Sequence, residues 1–481
     1  MPTTTRTESD TMGAMQVPAD ALYGASTARA VLNFPISGRG LPRDMVHAYA
    51  LIKSAAAKTN AGLGLLDPAR AQAIQDACRT IIESIADPAW LATHFPVDTF
   101  QTGSGTSTNM NANEVIANLV CKAKGKPLGS SKDPAYIESG GVHTNDHVNM
   151  GQSSNDTFPT AMHVAAAVAI KRDLIPALEK VAKSLADKAT AWDTIVKIGR
   201  THLQDATPIR LGQEFSGFAA QMAHAQNRLH RALHVLGGLA LGGTAVGTGI
   251  NTHKQFGQRV AAELMQATGV HFREAANHFE AQHAKDGYVE AHGILKTIAV
   301  SLSKVASDIR LMGCGPRCGI GELKIPAVQP GSSIMPGKVN PVICEAVMMV
   351  CCQVIGNDTT LTTASLGGIG GLLDLHVAMP VMAVAMLDSI HLLSRACHVM
   401  TDQMLAGLEP DKDRCAALIE GSLAMCTSLV PAIGYDKSAA LAKQAYKEGK
   451  TVRQLAIEQG VLAKDQLDKL LDPWSMTKPA E

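Results

Sequence analysis

The sequence predicts a mainly α-helical protein. Hydrophobic residues make up 46% of the 481 residues but aromatic residues only 4%, so the core must consist mostly of Ala, Leu, Ile, Val and Met. This composition favours packed helices over a β-sandwich, which is usually rich in aromatic and β-branched side chains. Apolar residues also recur at helical spacing, and some segments are apolar all round, which is typical of helices inside a bundle or an oligomer.

Several segments carry this helical signal in turn. After Pro159, an apolar stripe is formed by Leu174, Leu178, Val181 and Leu185. A longer stripe follows at Ile294, Ile298, Leu302, Val305, Ile309 and Met312. Residues 346–355 are apolar all round apart from Gln353, and Pro380 occupies a first-turn position before another apolar run. We expect the helices without a polar face to be buried in a bundle or an oligomer.

The positions of proline and glycine between these segments, together with a change in charge, predict the domain organisation. Pro and Gly are dense up to about Gly151, where the helical region begins. The stretch Gly242–Gly249 is too rich in glycine to be helical and is interpreted as a loop near a site. From about Leu408 the sequence becomes more charged, which indicates a small C-terminal helical domain. Because 481 residues exceed one ordinary core, the expected domains are residues 1–152, 153–407 and 408–481.

Charge and cysteine usage exclude several classes of protein. The 43 basic and 43 acidic residues cancel, so no global field would recruit nucleic acid or an anionic membrane. The ten cysteines form no CxxC pair, and reduced, mostly buried thiols are expected. The N-terminus has no apolar signal segment, and the longest uncharged apolar run, Val377–Leu387, is too short to span a bilayer. We therefore expect a soluble cytoplasmic protein.

The segment Gly331–Glu345 has the composition of a mobile catalytic loop. It combines flexible glycines and stiffening prolines with two hydroxyls, one cation, one amide and one carboxylate. A Walker phosphate loop is excluded, because five residues instead of four separate the glycines and Val339 follows Lys338. Taken alone, the segment is either an anion-binding loop or an ordinary surface loop that contains a Lys.

Four further segments are polar in a way that a core cannot use: residues 102–111, 143–156, 199–208 and 307–321. The first two precede predicted helices, so their groups can bind a carboxylate or can simply cap the helix. His143 and His147 admit a metal alternative, but no partner with ligand spacing accompanies them. The third contains His202, a candidate acid or base, although a lone His is often structural. Arg317 in the fourth is expected to fix the loop.

Together these segments resemble the fumarase/aspartase superfamily, most closely class II fumarases. The resemblance spans nearly the whole chain and rests on GSGTSTNMNANE, HTNDHVN, GQSSNDTFPT, GRTHLQDATP and GSSIMPGKVNP. It implies a three-domain, mostly helical subunit whose long central helices pack with those of three other subunits into a homotetramer with a multi-helix core. It also implies that each active site is assembled from three different subunits, and that neither a metal nor a cofactor is needed.

The resemblance further implies the hydration of fumarate to L-malate, with distinct roles for three residues. Ser332 would be the base, activated by Lys338, by backbone N–H groups of the loop and by exclusion of water. His202 would hold and protonate the water on the opposite face, paired with Glu345 of another subunit. The residues implied to bind the dicarboxylate substrate are Ser104, Gly105, Thr106, Ser153, Ser154, Asn155, Thr201, Ser333, Lys338, Val339 and Asn340.

A second dicarboxylate site is implied by the match of His143, Thr144, Asn145 and Asp146. The match is imperfect, because proline is usual at Thr144 and some relatives have an Arg at Gly140.

The sequence is also compatible with two other functions. Residues 325–330 and 340–342 look more like the ammonia-lyase pattern, which favours release of ammonia from L-aspartate, whereas Gln152–Asn155 and Phe100–Thr106 favour fumarase. His376 stands where both kinds of relative usually have Asn. A non-catalytic helical oligomer is the third alternative, and the joint presence of Ser332, His202 and Lys338 argues against it.

Overall fold

A computed structural model describes residues 4–479, and these form a mainly helical protein, as the sequence predicts. The helices, numbered in chain order, are α1 (Ala25–Asn33), α2 (Arg43–Gly62), α3 (Pro68–Ser84), α4 (Pro88–His94), α5 (Thr106–Ala123), α6 (Pro134–Glu138), α7 (Ser154–Ala169), α8 (Ile175–Ala191), α9 (Leu211–Leu236), α10 (Phe256–Thr268), α11 (His278–His283), α12 (Asp286–Met312), α13 (Val342–Ala364), α14 (Met379–Val399), α15 (Lys412–Gly421), α16 (Val430–Ile433), α17 (Tyr435–Glu448), α18 (Val452–Glu458) and α19 (Lys464–Leu470).

The strands form two-stranded ribbons, paired as β1–β2, β3–β4, β5–β6, β7–β10 and β8–β9. All of these pairs are antiparallel except β5–β6. Their bounds are β1 (Thr5–Asp10), β2 (Gly13–Pro18), β3 (Val196–Thr201), β4 (Gln204–Arg210), β5 (Gly238–Leu239), β6 (Arg273–Glu274), β7 (Leu323–Lys324), β8 (Gly371–Leu372), β9 (Leu375–His376) and β10 (Glu409–Pro410).

The predicted helical stripes lie where the sequence places them. Leu178, Val181 and Leu185 are buried on α8, directly after a π-helical turn, Ile170–Leu174. The stripe from Ile298 to Met312 is buried on α12, which at 27 residues is about 40 Å long at 1.5 Å per residue. The glycine-rich stretch 242–249 is irregular, as expected.

The chain divides into two compact units, each made of three segments. The first unit contains Met1–Pro176, Asn227–Ala299 and Cys352–Ser394, and the second contains Ala177–Gln226, Val300–Cys351 and Arg395–Glu481. The division into three domains at residues 152 and 407 stays a prediction.

In the first unit, helices α2, α5 and α7 pack against one another around a shared core. This packing determines where the polar N-termini of α5 and α7 lie. Tyr49 and Phe158 contact each other edge to face, with ring centroids 6.2 Å apart, and both are buried. Helix α5 is buried on nearly all sides, including its carboxylate Glu114. That carboxylate accepts hydrogen bonds from the backbone N–H groups of Gly24, Ser26 and Thr27, so it caps the N-terminus of α1.

The second unit contains the β3–β4 hairpin and a separate hydrophobic cluster near the C-terminus. This cluster is formed by buried side chains that include Leu429, Leu441, Leu455, Leu467 and Leu471. They come from the region that the sequence predicts to be a small helical domain. Apolar contacts among short helices therefore stabilise this part of the chain.

Two helical segments are long and apolar enough to cross a membrane by length and composition: Val342–Ala364 and Met379–Gly407. A bent pair, Lys412–Gly421 with Leu423–Ile433, would add a third if it were one span. The sequence analysis expected no apolar run long enough to span a bilayer, and by length and composition this expectation is wrong. It was based on uncharged runs only, whereas the second helix continues past Asp388. In that helix 67% of the apolar window is buried inside the protein, whereas 28% is buried in the first.

Candidate active site

The segment Ser104–Thr106 forms the N-terminus of α5, and two glycines fix its path. Gly105 has a φ of 75°, and a side-chain carbon there would lie 1.8 Å from the ring of Phe158. A side-chain carbon on Gly103 would lie 1.7 Å from the carbonyl oxygen of Val377. Only glycine fits at these positions, so the hydroxyls of Ser104 and Thr106 have a defined location.

The segment Ser153–Asn155 begins α7 through a capping box. The hydroxyl oxygen of Ser153 accepts a hydrogen bond from the N–H of Asn155 at 3.2 Å, and the carboxylate of Asp156 accepts one from the N–H of Ser153 at 2.9 Å. The other carboxylate oxygen of Asp156 accepts hydrogen bonds from the N–H groups of Gly242 and Thr244. Asp156 therefore joins the glycine-rich stretch to the start of α7.

These two helix ends meet. The Thr106 hydroxyl oxygen lies 2.8 Å from that of Ser154 and 3.0 Å from that of Ser104. The Asn155 amide donates a hydrogen bond to the carbonyl of Ala245 at 2.8 Å. Each helix N-terminus carries a partial positive charge, so the clustered hydroxyls and N–H groups are suited to bind a carboxylate. The structure thus brings together the predicted residues Ser104, Gly105, Thr106, Ser153, Ser154 and Asn155.

A buried cation beneath this cluster was not identified from the sequence. The Lys53 ammonium donates hydrogen bonds to the amide oxygens of Asn109 and Asn149, each at 2.9 Å. Burial lowers the pKa of Lys53 to about 7 and raises the pKa of Asp156 to about 6. The available signal was positional, because Lys53 follows the buried Tyr49 by four residues on α2 and so shares its face.

His376, the residue that departs from the pattern of the relatives, lies next to Val377, whose carbonyl oxygen approaches Gly103. Its side chain is buried, and burial lowers its pKa to about 4, so the ring is neutral. The next residues contact the Ser104 segment, because the N–H of Met379 donates a hydrogen bond to the carbonyl of Gly103 at 3.0 Å. His376 therefore lies three residues before a backbone contact with the Ser104 segment.

In the second unit, His202 occupies the turn of the β3–β4 hairpin. The strands pair Thr201 with Gln204, which leaves His202 and Leu203 as a two-residue turn with φ values of 56° and 59°. Turns with positive φ at both central residues match the twist of a hairpin but are unfavourable for residues other than Gly, Asn or Asp. Both side chains are exposed.

A buried ion-pair network that was not predicted from the sequence lies next to Arg200, two residues before this turn. Arg200 donates from one nitrogen to both carboxylate oxygens of Glu322, each at 2.9 Å. Lys197 lies 3.2 Å from the same carboxylate and 2.9 Å from that of Glu214. Glu322 is fully buried.

The loop from Gly331 to Asn340 is closed at its base and exposed over residues 333–339, while Ser332 is half-buried. The Gly331 N–H donates a hydrogen bond to the carbonyl of Lys338 at 2.9 Å, and the Asn340 amide donates one to the carbonyl of Gly331 at 2.8 Å. The hydroxyl oxygen of Ser332 accepts hydrogen bonds from the N–H groups of Ile334 and Met335, at 3.2 and 3.1 Å. Two such donors favour the deprotonated oxygen that a base requires.

The remaining predicted loop residues are accessible. Ser333 is exposed, as are Lys338 and Val339. Glu345 is exposed in the first turn of α13. Over residues 4–479 of this single chain, no ion pair or hydrogen bond joins Glu345 to His202. The roles of Ser332, His202 and Glu345, and of the substrate-binding residues, stay predictions.

The segment of the possible second site forms a π-helical turn, Thr144–Val148. The His143 ring accepts a hydrogen bond from the N–H of Asp146 and lies 3.0 Å from its carboxylate. Thr144 is buried and contacts the hydroxyl of Ser131 at 3.2 Å, while Asn145 and Asp146 are exposed. At Gly140, the backbone carbonyl accepts a hydrogen bond from Lys124 at 2.5 Å. This site also stays a prediction.

Known proteins resemble this chain over its whole length. A family model described as "Lyase" matches residues 13–356, and one described as "Fumarase C C-terminus" matches residues 425–478. A Neisseria meningitidis protein named fumarate hydratase class II is 48% identical over 475 residues, which are 99% of each protein. One of the same name from Thermosynechococcus vestitus is 50% identical over 469 residues, 98% of this chain and 97% of that protein.

A solved structure agrees with these matches. The crystal structure of a class II fumarase from Schistosoma mansoni has a TM-score of 0.93 and 36% identity to this chain, and the similarity covers 99% of this chain and 100% of that one. The chain therefore belongs to the fumarase/aspartase superfamily, in the group of class II fumarases.

Proposed function

We propose that this chain catalyses the reversible hydration of fumarate to L-malate, a step of the tricarboxylic acid cycle. The observation that carries the proposal is the Ser332 hydroxyl oxygen, which accepts hydrogen bonds from two backbone N–H groups on an exposed loop. Full-length relatives named fumarate hydratase class II, 48% and 50% identical to the chain, support the same activity.

The reaction is an anti elimination in the malate-to-fumarate direction. Ser332 removes a proton from the methylene carbon of L-malate, and the electron pair left behind is delocalised into the adjacent carboxylate. The helix ends at Thr106 and Ser154 bind one carboxylate, and Lys338 and Asn340 bind substrate from the loop. The hydroxyl on the neighbouring carbon then leaves as water, after taking a proton from His202. In the reverse direction the same groups exchange roles.

The working form of the enzyme is a homotetramer in the cytoplasm, independent of metal and cofactor, of membranes and of nucleic acid. Each active site combines segments of three subunits, with Glu345 of one subunit pairing with His202 of another. The exposure of both side chains in the single chain supports this arrangement. So does the exposed apolar surface of α13, where Met349 is 67% exposed.

One assay separates the candidate reactions. Purified protein is added to L-malate and, in parallel, to L-aspartate, and the ultraviolet absorbance of fumarate is followed. We expect fumarate to form from L-malate and not from L-aspartate. Formation from L-aspartate alone would identify an ammonia-lyase, and formation from neither substrate would favour a non-catalytic oligomer.

Shared active sites are tested with mixed tetramers. Chains with His202→Asn and chains with Ser332→Ala are each expected to be nearly inactive. When they are co-expressed, some sites combine an intact His202 from one chain with an intact Ser332 from the other, so activity should return. Continued inactivity of tetramers that demonstrably contain both chains would contradict the sharing of sites.

A further inference from the structure

Arg200 and Glu322 form a buried connection between the His202 turn and the interior of the second unit. Arg200 lies two residues before His202 on β3, and its side chain is 15% exposed. One of its nitrogens donates to both oxygens of a carboxylate that is fully buried. An ion pair with so little access to water is screened much less than a surface pair. Removing the guanidinium would leave this buried carboxylate with Lys197, 3.2 Å away, as its other cationic partner, and losing one partner of a buried ion pair is unfavourable.

The backbone N–H and C=O groups of Glu322 both form hydrogen bonds. Its N–H donates a hydrogen bond to the carbonyl of Met312 at 2.8 Å, and its carbonyl accepts one from the N–H of Asp411 at 2.8 Å. The next residues form β7, which pairs with β10, and the chain then enters the loop at Gly331. Lys197 adds a second cation next to the carboxylate. The carboxylate is therefore a fixed point for the hairpin.

The hairpin needs such a fixed point near its turn. The ladder is irregular between Ile198 and Arg200, so the last two pairs do not simply continue the register of the rest. Beyond them, His202 and Leu203 both have left-handed backbone conformations. Conformations of this kind persist only where surrounding contacts impose them. The Arg200 side chain, two residues before the turn, provides such a contact through its ion pair with Glu322.

We infer that Glu322 is a positioning residue for His202: through Arg200, its carboxylate sets the register and orientation of the turn that presents the histidine to the substrate. This inference rests on the proposed function, in which His202 protonates the leaving hydroxyl. Glu322 also begins the segment that leads into the Ser332 loop. In the proposed tetramer, the hairpin and the loop of one chain serve different active sites, so one carboxylate supports two sites.

The test removes the ion pair and compares it with a pair at the far end of the same hairpin. Arg200→Met deletes the guanidinium that contacts Glu322. Arg210→Met is the matched control, because Arg210 forms a 2.9 Å ion pair with Asp193 at the opposite end of β4. We expect Arg200→Met to lower kcat for L-malate at least tenfold with KM changed less than twofold, because small misplacements of a catalytic group are costly. Arg200→Lys should recover part of kcat, and Arg210→Met should stay within twofold of wild type.

Several results would overturn the inference. These are a kcat for Arg200→Met within twofold of wild type, an equal loss in Arg210→Met, or a loss confined to KM. If Arg200→Met does not assemble into a tetramer, the inference is tested with Glu322→Asp instead. This variant keeps the negative charge but moves the carboxylate back by one carbon. An assembled Glu322→Asp tetramer with lowered kcat supports positioning, and one with normal kcat contradicts it. Failure of both variants to assemble would assign the pair to folding instead. Wild-type turnover of L-malate, measured alongside, reports separately on the proposed function.

Mixed tetramers show which segment Glu322 acts through. Glu322→Gln is placed either on the Ser332→Ala chain, which supplies the working His202, or on the His202→Asn chain, which supplies the working Ser332. Lower kcat in the first combination supports action through the hairpin. A loss confined to the second would show action through the loop and overturn the inference.

Discussion

The hydroxyl of Thr106 lies 2.8 Å from the hydroxyl of Ser154, although 48 residues separate them in the chain. This hydrogen bond joins the N-terminus of α5 to the N-terminus of α7. Two partial positive charges and several hydroxyl and N–H donors thus face the same place. Such an arrangement is suited to bind an anion without a formal positive charge at the contact.

Removal of either hydroxyl should weaken substrate binding. Thr106→Val and Ser154→Ala are each expected to raise KM for L-malate about tenfold, which corresponds to about 1.4 kcal/mol. Because the two hydroxyls contact each other, the double variant should lose less than the sum of the two single losses. Steady-state kinetics measure these effects, with the exposed Thr93→Val as control. Additive losses would contradict a shared binding element.

Ser332→Ala should nearly abolish turnover. Loss of the base is expected to lower kcat by 10²-fold or more, the scale of general base catalysis, while light scattering still shows a tetramer. Ser428→Ala, in the same unit but outside the loop, should keep wild-type kcat. Loss of assembly in Ser332→Ala would mean that the loop is structural.

The turn at His202 should gain stability from a residue that tolerates positive φ. Leu203 has a φ of 59° and is 71% exposed, so the side chain contributes little burial to offset its strain. Leu203→Asn should raise the free energy of unfolding by about 0.5–1 kcal/mol, because Asn adopts the left-handed region readily. Urea titration measures the change. Leu65→Asn, at an exposed leucine of ordinary φ, should give no gain; an equal gain there would point to exposed apolar area as the cause.

The buried Lys53 should make stability depend on pH above neutrality. Burial lowers its pKa from 10.5 to about 7, so between these values the unfolded chain holds a proton that the folded chain has released. Stability therefore rises with pH across this window, by up to about 1.4 kcal/mol per pH unit. The gain is complete above about pH 10.5 and is lost progressively as the pH falls to about 7. The raised pKa of Asp156, about 6, acts in the opposite direction, but at lower pH, between 3.8 and 6.

Urea midpoints measured from pH 7 to 10 test this dependence. Lys53→Met should remove most of the rise, whereas Lys58→Met, exposed on the same helix, should retain it. Parallel curves for wild type and Lys53→Met would contradict the lowered pKa.

The sequence predicted those features that depend on neighbours along the chain. The apolar stripe of α12 and the irregular stretch at Gly242 follow from local periodicity and glycine content. The polar starts of α5 and α7 were also identified, because capping residues and substrate-binding residues share the same chemistry at a helix N-terminus. Only the family resemblance separated those two roles.

Features that depend on distant residues were missed. Lys53 contacts Asn149, 96 residues away, and Arg200 contacts Glu322, 122 residues away. The spacing from Tyr49 indicates only the buried face of Lys53, and nothing near either residue in the sequence identifies its distant partner, because lysine and arginine are ordinarily exposed. The left-handed turn at His202 was also missed, since neither His nor Leu is a usual residue of such a turn.

The division of the chain into two units limits where it can be truncated, split or circularly permuted. The unit boundaries at residues 176, 226, 299, 351 and 394 all fall inside helices, α8, α9, α12, α13 and α14. A fragment that ended at any of these points would leave up to four backbone groups without helical partners. A split or circularly permuted version of this enzyme should instead have its new ends in an exposed loop within one unit, such as residues 124–127 after α5.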